Sequence, residues 1–165
     1  MADRKIKLVR IAHAIYQHTD LAPVEKFIAD FGFIECARST TGPERIYYRG
    51  YGTEPFVCCI EKADKNAFGG VGFVVESEDD LKHAAATLPG ATEIYEMKDT
   101  PGGGKCVTFY DPYDGFPFHL VHGQTPVEAT EPSFPELKIN YVSGPFIPFP
   151  QRNSIDVGII QGDVV

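Results

Sequence analysis

The chain has 165 residues, is 43% hydrophobic and 12% aromatic, and carries a net charge of −8, which allows one domain with a substantial core. Its acidic balance, with an isoelectric point near 5.0, repels phosphate backbones and anionic lipid surfaces, so neither nucleic acid nor membrane is an expected partner. No apolar run approaches the roughly 18 residues of a membrane span. The opening MADRKIKLVRIAHAIY is broken by Arg10 and His13 and lacks a small-residue cleavage site, so the expected location is cytoplasmic.

Residues 7–16 have strand character, and alternation places Val9, Ile11, His13 and Ile15 on one face. Asp20 then reads as a helix cap. In DLAPVEKFIADFGF the apolar residues Leu21, Val24, Phe27, Ile28 and Phe31 recur at helical spacing, Pro23 falls in the first turn, and Gly32 suits the stop. Strand-like runs follow at 33–37, 45–49 and 55–61, separated by turn-forming clusters. The first unit is therefore βαβββ.

After the charged joint EKADKNAFGG the pattern restarts. GVGFVVES is a strand, and Ser77 with Asp80 resembles a capping box opening a helix over 78–88, which Pro89-Gly90 ends. Runs at 92–97, 105–110 and 116–122 supply three strands, with PGGG and DPYDG as turns. Two units with the same element order predict an α+β fold of paired βαβββ modules, 5–63 and 69–123, with facing curved sheets around a cleft and the helices outside. Residues 1–123 form this domain. The proline-rich residues 124–165 read as an extended C-terminal linker or arm, in which SIDVGIIQGDVV could add one strand.

Cys36, Cys58, Cys59 and Cys106 lack Cys-x-x-Cys spacing and read as buried thiols, with adjacent Cys58 and Cys59 on opposite faces of a strand. PGGGK lacks the spacing and following helix of a phosphate loop and reads as a hairpin turn. In RIYYRGY, alternation sends Tyr47 and Arg49 one way and Tyr48 the other. Tyr47 and Arg49 are either ordinary strand residues or substrate contacts, with Tyr47 stacked on a phenolic ring and Arg49 near its oxygen. His18, His83 and His122 read as structural or solvated.

The segments KLVRIAHAIYQHTDL, RIYYRGYG, GFVVESEDDL, PGGGKCVTFYDPYDGFPFHLVHG and PELKINY resemble the vicinal oxygen chelate superfamily. That superfamily includes glyoxalase I, bleomycin-resistance proteins, methylmalonyl-CoA epimerase and extradiol ring-cleavage dioxygenases. The similarity covers residues 5–123 and is closest to the N-terminal domain of fungal extradiol, trihydroxytoluene oxygenase-like dioxygenases. In metal-binding members the ligands come from the first and last strands of a module. The resemblance therefore implies His13 and His119 as ligands of Fe(II) or another divalent metal. A third ligand, commonly histidine, falls at Gly70, and Glu61 is the best carboxylate within the chain to complete the set. His119 stands where proton-transfer members carry glutamate.

The resemblance implies an extradiol-type dioxygenase acting on a hydroxylated aromatic, in aromatic or secondary metabolism. It assigns no catalytic residue beyond the ligands. The alternatives are a metal-free aromatic-binding or scaffold module, and a glyoxalase-like metal-dependent lyase or isomerase. The expected partners are a small aromatic molecule and either a second copy of the chain or a catalytic partner chain.

Overall fold

The computed structural model describes residues 4–130. PELKINY and the strand expected in SIDVGIIQGDVV lie outside the described residues. Elements follow in the order β1 (Leu8–His18), α1 (Ala22–Asp30), β2 (Ile34–Ser39), β3 (Arg45–Arg49), β4 (Cys58–Lys62), β5 (Ala67–Val75), α2 (Glu78–Thr87), β6 (Tyr95–Glu96), β7 (Lys105–Tyr110) and β8 (Pro117–His122). This is βαβββ twice.

The strands form one eight-stranded sheet in the order β2-β3-β4-β1-β5-β8-β7-β6, curled around a cleft. Each module pairs its first strand in parallel with its last, β1 with β4 and β5 with β8. The modules join through antiparallel pairing of β1 with β5, so the two expected sheets are halves of one continuous sheet.

Alternation separates the two faces. Ile46, Tyr48, Cys58 and Ile60 point outward and pack under α1 through Leu21, Ile28 and Val24. Val75, Val107 and Leu120 pack under α2 through Leu81 and Ala84. On the concave face Tyr47, Phe56 and Cys59 form a separate cluster, so the adjacent Cys58 and Cys59 do face opposite ways. Burial pushes both thiols up, to about 11 for Cys58 and about 12 for Cys59. Cys36 departs from the sequence reading, because it lies exposed on the edge strand β2.

Local chemistry explains the helix ends. Ser77 caps α2: its Oγ accepts the Asp80 backbone N–H at 3.2 Å, and its hydroxyl donates to the Asp80 carboxylate at 2.7 Å. At α1 the Asp20 carboxylate accepts from the Ala22 N–H at 3.2 Å, while Leu21 holds the cap position. The expected apolar face of α1 is only partly buried. Phe27 and Phe31 are 60% and 68% exposed and pack on each other with centroids 4.7 Å apart.

Other differences have identifiable causes. The single odd-numbered face of β1 is broken: Ala12 and His13 are both buried, whereas Val9 and Ile11 are exposed. Irregularities in the β1–β5 pairing, one between Ile11 and His13, interrupt the alternation. The strand expected at 92–97 shrinks to Tyr95–Glu96. At its start the Thr92 side-chain hydroxyl accepts the Thr108 N–H at 3.0 Å, in place of a backbone carbonyl. AFGG, read as part of the joint, begins β5.

The first residues of the expected arm run back across the domain. Thr125 N–H donates to Gly102 O, Val127 N–H to Thr53 O and Thr130 N–H to Tyr51 O, at 2.8, 3.0 and 2.9 Å. Residues 124–130 thus strap the PGGG turn of the second module to the β3–β4 loop of the first. Among the described residues no helix is long and apolar enough to cross a membrane.

Candidate functional site

The concave face of the sheet encloses a cleft of about 820 Å³. His13, His119, Glu61 and Tyr47 line it; Arg49 does not. Phe56, Tyr95, Thr108, Lys65 and Lys98 also line it and were not singled out from sequence. Among the described residues the charged groups at its wall are Arg45, Lys65 and Lys98 against Glu61, Glu96 and Asp99, which leaves no net charge bias.

Three neighbouring strands build the floor. His13 on β1 pairs with Gly72 on β5, and Gly72 pairs with His119 on β8, so the two histidines occupy one row across the sheet. Their rings lie nearly parallel, 22° apart, with centroids 6.4 Å apart. The glycines of β5 make room for them. A Cβ on Gly72 would lie 2.5 Å from Cε1 of His13, and one on Gly70 would lie 2.6 Å from Nε2 of His119 and 2.5 Å from the Pro117 carbonyl oxygen. Gly70 also has φ of +115°, a conformation that disfavours any side chain.

His119 is fully engaged. Its Nε2 lies 3.0 Å from the Gly69 carbonyl, and a carbonyl only accepts, so Nε2 carries the proton. Burial lowers the pKa of the ring below the ordinary histidine value, and the neutral ring must then accept at Nδ1. Thr108 Oγ1, 2.9 Å away, is the donor there, and it accepts in turn from the Tyr95 hydroxyl at 2.9 Å. The direction of the whole chain from Tyr95 to Gly69 is thereby set. Burial pushes the Tyr95 hydroxyl up, which keeps it protonated as the first donor.

His13 contrasts with it. It is 2% exposed, packs on Phe56 with centroids 4.4 Å apart, and its Nδ1 is buried without a hydrogen-bond partner among the described residues. Burial, and secondarily the neighbouring His119, lowers its pKa to about 3.

Glu61 shares the cleft but not the row. It pairs with Gln17, four residues along β1 from His13, about 13 Å at the usual strand rise. Its carboxylate accepts from Gln17 Nε2 at 2.8 Å and from Arg45 Nε at 2.5 Å. Tyr47 turns edge-on to Phe56, with centroids 5.2 Å apart.

These donors do not fit a divalent metal as they stand. Both nitrogens of His119 are used, a side chain at position 70 has no space, Glu61 is held elsewhere, and among the described residues no group of three His, Cys, Asp or Glu gathers to hold a metal ion.

The cleft bounded by paired βαβββ modules is the vicinal oxygen chelate fold, which solved structures share. The Mn(II)-bound glyoxalase from Novosphingobium aromaticivorans matches with a TM-score of 0.66 and 21% identity, over 77% of this chain and 42% of that one. An extradiol ring-cleaving dioxygenase from B. fuscum matches with a TM-score of 0.62 and 25% identity, over 74% of this chain and 35% of that one. Homoprotocatechuate 2,3-dioxygenase from Brevibacterium fuscum, in its anaerobic complex with 3,4-dihydroxyphenylacetate, matches with a TM-score of 0.62 and 25% identity, over 75% and 39% of the two chains. The chain thus spans less than half the length of these structures. No protein-family pattern and no curated protein matches it.

Proposed function

We propose that the cleft binds a small hydroxylated aromatic molecule. The observation that carries this reading is its lining: Phe56 and Tyr47 form an aromatic wall beside the His13–His119 row, in a volume suited to a small ligand. The balanced charge of the wall favours recognition through ring packing and hydrogen bonds over recognition through net charge. Similarity to a dioxygenase bound to 3,4-dihydroxyphenylacetate supports the same chemical class. Isothermal titration with 3,4-dihydroxyphenylacetate and with catechol tests it. Saturable binding that weakens in Tyr47→Ala is expected, and no heat from either compound would remove the proposal.

A second reading, Fe(II)-dependent extradiol cleavage, is favoured by the dioxygenase matches. His13 and His119 would be its ligands only if His119 gave up its bonds to Gly69 and Thr108, with a third ligand from Glu61 or from a partner chain. Oxygen consumption with catechol after anaerobic iron loading tests it. The glyoxalase-like lyase or isomerase reading has the support of a structural match but no carboxylate base in the histidine row.

A further inference from the structure

This inference rests on the reading of the cleft as an aromatic site and concerns how its floor meets the ligand. We propose that His13 donates a hydrogen bond directly from Nε2–H to an oxygen of the ligand, with no metal between them.

The argument concerns where each ring carries its proton. A histidine that binds metal through Nε2 carries its proton on Nδ1 and donates it to a carbonyl, carboxylate or water. Neither histidine here has that support. Nδ1 of His119 accepts from Thr108, and Nε2 donates to Gly69. Nδ1 of His13 is sealed in the protein with no acceptor beside it among the described residues. A sealed N–H forfeits a strong hydrogen bond, so the proton of His13 belongs on Nε2.

Geometry restricts what can satisfy that donor. One side of the His13 ring covers Gly72, where a Cβ would fall 2.5 to 2.8 Å from the ring atoms, and Phe56 packs against the ring at 4.4 Å. Among the described residues the ring has no hydrogen-bond partner, and it lines the cleft, so Nε2 finds its partner there. A phenolic oxygen on a ring lying beside Phe56 and Tyr47 supplies the acceptor. His119 remains held by Gly69 and Thr108, and Thr108 by Tyr95.

The experiment measures 3,4-dihydroxyphenylacetate and its hydroxyl-free analogue phenylacetate by calorimetry, in excess EDTA and then with Mn(II) added. The nitrogen shifts of both histidines are read by NMR. The expected results are equal affinity with EDTA and with Mn(II), at least tenfold weaker binding of phenylacetate, and Nε2–H tautomers at both histidines. In His13→Leu the preference for the hydroxylated compound disappears, and in His13→Gln, which keeps a donor, part of it returns. Binding that requires stoichiometric Mn(II), or an Nδ1–H tautomer at His13, overturns this inference and leaves the aromatic site standing. Absence of binding by both compounds under both conditions removes the aromatic reading itself, and this inference with it.

Discussion

His13 and His119, 106 residues apart in the chain, pair with the same residue, Gly72, from its two sides. A central strand bare of side chains at this point lets both rings settle onto it. Gly72→Ala is expected to displace the His13 ring and lower stability by about 1–3 kcal/mol, as overpacking does. Gly70→Ala is expected to be worse, because it adds a left-handed backbone and a close carbonyl to the contact with His119. Urea unfolding of the two variants checks the order.

Thr108 links Tyr95 to His119, and it is buried. Thr108→Val keeps the shape but removes the donor to Nδ1 and the acceptor for Tyr95. A loss of about 1–3 kcal/mol is expected for the polar groups left unsatisfied. Thr108→Ser should restore most of it. Denaturation of the pair separates the hydroxyl from the packing.

The low pKa of His13 ties stability to pH. The folded ring resists protonation down to about 3, whereas the unfolded ring takes a proton near 6.5. The unfolded state therefore binds more protons as pH falls below about 6.5, and stability declines from there toward pH 3. Between pH 7.5 and pH 5 this histidine alone accounts for about 2 kcal/mol of that decline. His13→Asn should flatten the curve by this amount, as measured by urea unfolding at both pH values. His119, also shifted down, adds in the same direction.

At α2, the hydrogen bond from Ser77, then the contact with Arg4, holds the Asp80 carboxyl below its ordinary value. Its contribution is present above about pH 4 and fades as pH falls through the lowered value. Ser77→Ala should lose about 1 kcal/mol at neutral pH through the missing cap. Thermal unfolding at pH 7 and pH 3 should show the deficit shrinking in acid.

Much of this was legible beforehand where a pattern is local. The order βαβββ twice, the bounds of β3 and β7, the opposed Cys58 and Cys59, and the Ser77 cap all follow from spacing within a few residues. His13 and His119 were picked out together by the family resemblance, not by local spacing. Their surroundings were not, because those depend on pairing between distant strands. Thr108 stands opposite His119 in the β7–β8 pairing, and only that alignment gives an ordinary strand threonine its role. Glu61 was a reasonable carboxylate to choose by type. Its position opposite Gln17, well along the strand from the histidine row, needed the β1–β4 alignment. The irregularities of β1 have no residue signature in LVRIAHAIYQH, and they decide which side chains enter the core.

The strap of residues 124–130 sets an exit address. β8 ends in the second module, yet the hydrogen bond of Thr130 to Tyr51 brings the chain to the loop between β3 and β4 in the first. A tag or domain fused at this point would start beside Thr53 and Tyr51, not beside His122. Such a cargo would be tethered to the half of the molecule that also carries His13.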